Sequence, residues 1–130
     1  MTEYPTVPEI LTITEEVFQS QPLVRDHGLL DAAAERPKAS MFGAEAYVDV
    51  WSKAVALGES ISRNHSLVDG NKRTAWSSMR FFLALNDVPM GDFSDDAAES
   101  FIIALATGKY AGDLPRAAAD LRELLSNPSR

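Results

Sequence analysis

A chain of 130 residues, 45% of them hydrophobic, suits one domain with a real core and excludes a disordered protein. A formal net charge of −7 argues against a general nucleic-acid binder, and the lack of cysteine excludes disulfides and thiol chemistry. No run of about 18 apolar residues is present to span a membrane, and Met1-Thr2-Glu3-Tyr4-Pro5 lacks the basic-then-apolar pattern of a signal peptide; the lack of cysteine fits the expectation of a cytoplasmic protein.

Residues 1–7 read as an extended arm. Thr12-x-x-Glu15 has the spacing of a capping box, although Pro8 leaves an earlier helix start open; the first helix should reach about Ser20, with Pro22 closing it. Arg25-Asp26-His27-Gly28 is a turn into a short alanine-rich helix, Leu29 to Arg36, which Pro37 ends; His27 reads as a surface or capping histidine. Lys38 to Gly43 is a loop. From Ala44 to Ser62 the residues Tyr47, Val50, Trp51, Ala54, Val55 and Ile61 recur at helical steps, with Trp51 as a core position. Gly58 interrupts that pattern and should allow a neighbour to approach closely.

Gly70 to Asp87 is the expected central helix. Ala75, Trp76, Met79, Phe81, Phe82, Leu83 and Leu85 lie nearly all round it, as in a helix buried on most sides, and Arg80 is the polar exception. Asp92, Asp95, Asp96 and Glu99 surround the start of the next helix, Ser94 to Thr107, where a cap and the macrodipole account for them. Gly108 is a stop, Arg116 to Ser126 is the last helix, and Asn127 to Arg130 is a polar tail. No strand pair, repeat or linker announces itself. The expectation is all-α: one compact helical domain over residues 1–130, with about six helices.

The chemistry concentrates between the two long helices, in His65-Ser66-Leu67-Val68-Asp69-Gly70-Asn71-Lys72-Arg73-Thr74. A helix N-terminus carries free N–H groups and partial positive charge. Asp69 suits it as a candidate N-cap, whereas Lys72 and Arg73 add positive charge to a positive end. A bound anion resolves the conflict. Gly70 lets the backbone approach that anion, and helix N-termini commonly bind phosphate. His65 can serve as a general base, since its ordinary pKa lies near neutrality. Two histidines and no cysteine argue against a zinc site.

This stretch resembles the Fic/Doc (Fido) family, whose Fic pattern is His-Pro-Phe-x-Asp/Glu-Gly-Asn-Gly-Arg. Asp69-Gly70-Asn71-Lys72-Arg73-Thr74 is similar to the Doc, or "death on curing", branch, because Lys72 stands where Fic enzymes carry their second glycine. Gly28-Leu29-Leu30, Ala33, Arg36-Pro37, Phe42-Gly43 and Ser60 to Asn64 extend the likeness over most of the chain. Ser66-Leu67 replaces the usual Pro-Phe or Ile-Phe, with Leu67 still a large apolar anchor. Trp76 stands in place of the second arginine of Fic adenylyltransferases, which counts against adenylyl transfer, and Ser77 stands where Doc carries an asparagine.

The resemblance implies the Fido fold and an ATP- and Mg²⁺-dependent transferase. In it His65 is the base and Asp69 holds the metal. Gly70, Asn71, Lys72 and Arg73 bind the phosphates, with the Asn71 side chain among the donors. It further implies a growth-arresting toxin that phosphorylates a Ser or Thr hydroxyl of a translation protein, elongation factor Tu. The alternatives are AMP transfer by the same residues and a non-catalytic binding module. A flap over Lys38 to Phe42 would line the target groove. The inhibitory Ser/Thr-x-x-x-Glu-Gly/Asn helix of many Fic proteins is not matched, since Val17 follows Glu16 in the nearest candidate. Restraint is therefore expected from a separate antitoxin whose disordered tail folds in a groove of this domain. Neither nucleic acid nor membrane is an expected partner.

Overall fold

The computed structural model describes residues 1–126; the expected polar tail, 127–130, lies outside them. Six α-helices account for most of the described chain: α1 Val7–Phe18, α2 His27–Glu35, α3 Val50–Arg63, α4 Asn71–Leu85, α5 Asp95–Ala106 and α6 Leu114–Ser126. A 3₁₀ turn, Arg36–Lys38, and a small antiparallel hairpin, β1 Ser40–Met41 with β2 Ala44–Glu45, separate α2 from α3. Each helix contributes to one buried apolar cluster, through residues such as Ile10, Leu30, Leu57, Phe82, Leu105 and Leu121. The all-α expectation of about six helices holds.

The most enclosed element is α3 rather than α4. Residues Lys53 to Glu59 are buried without a break, and α3 touches α2, α4, α5 and α6. Its most extensive pairing is with α4, and Gly58 makes that pairing close: a Cβ there would lie 2.3 Å from Met79 Sδ. Helix α4 buries Thr74, Ala75, Ser78, Met79, Phe82 and Leu83 but leaves Lys72, Arg73 and Ala84 exposed. Arg80 stacks over Phe93, 4.8 Å from the ring centre.

Several boundaries differ from the sequence reading, among them the last helix, which begins at Leu114 rather than Arg116. The capping box of α1 is Thr6 with Glu9, not Thr12 with Glu15: Thr6 Oγ1 accepts the Glu9 N–H at 3.2 Å, and Glu9 Oε1 accepts the Thr6 N–H at 2.9 Å. Both pairs have the same spacing, and Pro8 decides between them, because proline is tolerated in a first turn whose N–H groups lack intrahelical partners. Thr12 instead donates to the Pro8 carbonyl from inside the helix. Helix α1 stops at Phe18, where Gln19 turns left-handed (φ 53°).

Helix α2 begins at His27, because Asp26 caps it by accepting the Leu29 N–H at 3.0 Å. Helix α3 begins at Val50, not Ala44, because Asp49 caps it by accepting the Ser52 N–H at 2.8 Å. The residues before it turn back at Phe42-Gly43, both at positive φ, the conformation favoured between hairpin strands.

The base of this hairpin is tied to α3 and the 3₁₀ turn. Lys53, 2% exposed, donates to Glu45 Oε1 at 2.9 Å and to the Tyr47 carbonyl at 2.6 Å. Burial opposes the Lys53 charge, but the hydrogen bond to Glu45 and the neighbouring Tyr4 outweigh it and raise its pKa. Arg36 donates to the Tyr47 hydroxyl and Ser60 and pairs with Glu59 at 2.8 Å. The tip of the hairpin, Met41 and Phe42, is exposed.

Candidate active site

The loop from Asn64 to Gly70 joins the two helices that pair most extensively, so both of its ends are rigid. Asn64 closes α3 with its N–H on the Ser60 carbonyl at 3.1 Å, and its Nδ2 donates to the Leu29 carbonyl at 3.1 Å. His65 follows in the left-handed region (φ 53°) with its side chain exposed. Ser66 and Leu67 then dive inward, at 0% and 1% exposure. The apolar anchor is retained at Leu67 despite the departure from Pro-Phe.

That inward turn is stitched to the segment before α2. The N–H groups of Arg25 and Asp26 both donate to the Ser66 carbonyl, at 2.8 and 3.0 Å, and the Val68 N–H donates to the Leu23 carbonyl at 2.9 Å. Val24 and Leu67 form an isolated antiparallel bridge. The Asn71 carboxamide completes the loop by accepting the Leu67 N–H at 3.1 Å and donating to the Leu67 carbonyl at 3.0 Å. Its side chain is thus committed to the loop. The Asn71 backbone N–H, in the first turn of α4, is the group it has to offer an anion.

Asp69 does not cap α4. The N-cap is Gly70, at φ 81°, and Asp69 Oδ1 accepts the Gly70 N–H at 2.8 Å. Left-handed backbone at the cap turns the chain so that Asp69 stays outside the helix and exposed. Helices α1, α2, α3 and α5 each begin with a capping side chain, Thr6, Asp26, Asp49 and Ser94, whereas α4 has none. Its first N–H groups therefore remain available at the end that carries Lys72 and Arg73. Among the described residues neither cation forms a salt bridge.

Phe18, at the end of α1, is one residue beside the loop that the sequence reading missed. A Cβ on Gly70 would lie 2.0 Å from Phe18 Cε2, and the Arg73 guanidinium stands 5.7 Å from the centre of the same ring. No local pattern signals this contact, because Phe18 and Gly70 are more than fifty positions apart in sequence. Thr74 of the motif is structural: it is fully buried, with its hydroxyl 3.1 Å from that of Thr14. A cleft of about 630 Å³ opens beside the cations, lined by Val17 of α1, by Lys72, Arg73, Trp76 and Ser77 of α4, and by Phe93 and Ile102, with Asp95 and Glu99 also on its wall. Trp76 is held edge-on to Phe93, with ring centres 5.2 Å apart.

No group of three or more His, Asp and Glu side chains that could hold a metal exists among the described residues. One exposed carboxylate, Asp69, beside uncapped N–H groups fits Mg²⁺, which takes one or two protein carboxylates and completes its shell with phosphate and water oxygens.

The exposure of Arg73 yields a first expected outcome. On the expectation that this loop binds a nucleotide, Arg73→Ala should weaken ATP binding yet leave the melting temperature nearly unchanged. The lost stacking on Phe18 contributes about 0.5–1 kcal/mol at an exposed site. Removing a cation from a positive helix end returns about 0.3–1 kcal/mol. Calorimetric titration beside thermal melts checks both; a large loss of stability with ATP affinity intact would make Arg73 a structural residue.

A sequence profile of the Fic/DOC family matches residues 4–83. Over 122 residues the chain is 47% identical to a protein named Toxin Doc from Mycolicibacterium smegmatis, and the match covers 93% of this chain and 92% of that protein.

Proposed function

The chain belongs to the Fic/DOC family, and from that premise we propose that it is the toxin of a toxin–antitoxin module, acting as a protein kinase. It moves the γ-phosphate of ATP to a Ser or Thr hydroxyl of a translation protein, elongation factor Tu, and so stops translation. The observation that carries this reading is the uncapped N-terminus of α4, with Lys72 and Arg73 in its first turn and His65 in the loop leading to it.

The steps follow from the groups present. His65 takes the proton of the target hydroxyl, whose oxygen attacks the γ-phosphorus; ADP leaves. The N–H groups of Asn71, Lys72 and Arg73 bind phosphate oxygens, with Gly70 allowing close approach. Lys72 and Arg73 offset the charge of the phosphates as transfer proceeds. Asp69 is the residue that would hold Mg²⁺, whose chemistry is to neutralise phosphate charge. The exposed hairpin with Met41 and Phe42 is the flap along which the target would lie.

Two observations favour phosphoryl over adenylyl transfer. Lys72 puts a side chain and a charge where Fic enzymes have glycine, which disfavours their nucleotide orientation. Trp76 fills the place of their second arginine and is locked in an aromatic contact with Phe93. For restraint, the cleft between α1, α4 and α5 has apolar walls and a charged edge suited to the amphipathic tail of an antitoxin.

The decisive experiment incubates the purified chain with bacterial lysate and ATP labelled at the γ- or the α-phosphate. Label from the γ-position alone should appear on a protein the size of elongation factor Tu, with an intact-mass gain of one phosphoryl group. A gain of AMP would move the chain to the adenylyl reading, and no gain on any lysate protein would favour a binding module.

A further inference from the structure

His65 makes one contact that the backbone stitching of its loop does not require. Arg25 Nε donates to the His65 carbonyl at 2.7 Å, and Arg25 Nη2 donates to the Asn64 carbonyl at 3.3 Å. Those two carbonyls belong to the peptide units on either side of the His65 α-carbon. The orientation of those two units is the φ and ψ of His65. A guanidinium is planar and presents its donors in a fixed fork, so it can hold both units at one relative angle, as a flexible ammonium cannot.

The angle held is an unfavourable one. At φ 53° His65 lies in the left-handed region that side chains other than glycine avoid. Asn64 just before it is right-handed, at φ −87°. The backbone bonds of Asn64 and Ser66 fix the chain on either side, and the Arg25 fork adds a hold on the two His65 peptide units themselves; losing it would free them to shift toward the commoner regions and swing the Cα–Cβ bond that carries the imidazole. Arg25 lies forty positions away in sequence, is exposed, and among the described residues forms no salt bridge. Its fork on His65 and Asn64 accounts for its side-chain hydrogen bonds in full.

We propose that Arg25 is a positioning residue for the transfer reaction: its guanidinium clamps both peptide units of His65 and so aims the imidazole at the substrate hydroxyl. This rests on His65 being the base. Because Arg25 is exposed, trimming it leaves no cavity, and the backbone bonds from Arg25 and Asp26 to Ser66 survive the change. The loop should keep its depth while the histidine loses its aim.

The test compares Arg25→Ala and Arg25→Lys with the unmodified full chain in two measurements. The first is the rate of γ-label transfer from ATP to lysate protein over a range of ATP concentrations. The second is an NMR spectrum of chains with ring-labelled histidine, where only His27 and His65 contribute. For Arg25→Ala the maximal rate should fall on the order of 10- to 100-fold, the loss typical of a reacting group misplaced by about 1 Å. The apparent KM for ATP and the melting temperature should stay, and the His65 ring signal alone should shift or broaden. Arg25→Lys should regain part of the rate, since an ammonium reaches one carbonyl at a time.

An unchanged rate with an unmoved His65 signal overturns the proposal, as does a joint loss of rate, ATP affinity and melting temperature, which would make Arg25 a general tether. Should Arg25→Ala fail to fold, Arg25→Lys is judged by the same criteria. If the unmodified chain transfers no label, the kinase reading fails separately. The His65 ring signal then decides alone: displaced in Arg25→Ala it supports the clamp, undisplaced it overturns it.

Discussion

His65→Ala should abolish growth arrest while the protein stays folded. Among the two histidines, His65 is the one in the loop before the uncapped end of α4, whereas His27 sits in the first turn of α2. Loss of a general base costs roughly 10²–10⁴-fold in rate, enough to silence a toxin at ordinary expression. The fold should survive because the ring is exposed and the loop is anchored elsewhere, by Leu67, by Ser66 on Arg25 and Asp26, and by the Asn71 carboxamide. Left-handed alanine strains the backbone at this position, at about 1–2 kcal/mol. His65→Gly removes the ring without that strain and is the fair comparison. Growth at matched expression, with circular dichroism of both variants, checks the claim; either variant still arresting growth would remove His65 from the role of base.

The loop was legible because its signal is local. A histidine, a carboxylate, a glycine and two cations stand within nine residues between two apolar helical patterns, and the conflict of Lys72 and Arg73 with a positive helix end is visible without coordinates. Local spacing also misled. Thr12 and Glu15 have the capping-box interval, but so do Thr6 and Glu9, and only Pro8 distinguishes them. Tyr47 keeps helical register with Val50 and Trp51 although it lies in the loop after the hairpin, where Arg36 holds its hydroxyl. A two-residue strand pair turning at Phe-Gly carries none of the Asn-Gly or Asp-Gly signal that marks such turns.

What stayed hidden was long-range. The sequence offered Asp69 as a cap and the Asn71 side chain as a phosphate ligand because both types suit those tasks. Left-handed backbone at Gly70 instead keeps Asp69 outside the helix, and the Leu67 backbone takes the Asn71 carboxamide. Arg25 read as part of a turn, and Phe18 fell near the end of the expected first helix with no role given to it; both prove to touch the motif loop from segments distant in sequence. The residues that could do chemistry were readable, while those that hold them in place were not.

Gly70→Ala is the sharpest test of that hidden support, and it should cost stability on two counts. The backbone at φ 81° strains any residue with a Cβ by about 1–2 kcal/mol. The new methyl would also stand 2.0 Å from Phe18 Cε2 and 2.2 Å from Cζ, so the ring must leave its place, an overpacking cost of about 1–3 kcal/mol. The two terms separate in a double-mutant cycle. In a Phe18→Ala background the clash disappears, and Gly70→Ala should cost only the backbone part. Urea unfolding of the four proteins measures the difference directly. If Gly70→Ala costs the same with and without the Phe18 ring, the glycine serves its backbone angle alone and Phe18 does not press on the anion loop. If the cost falls when the ring is removed, glycine is required here both for the turn into α4 and for the close seat of α1 against it.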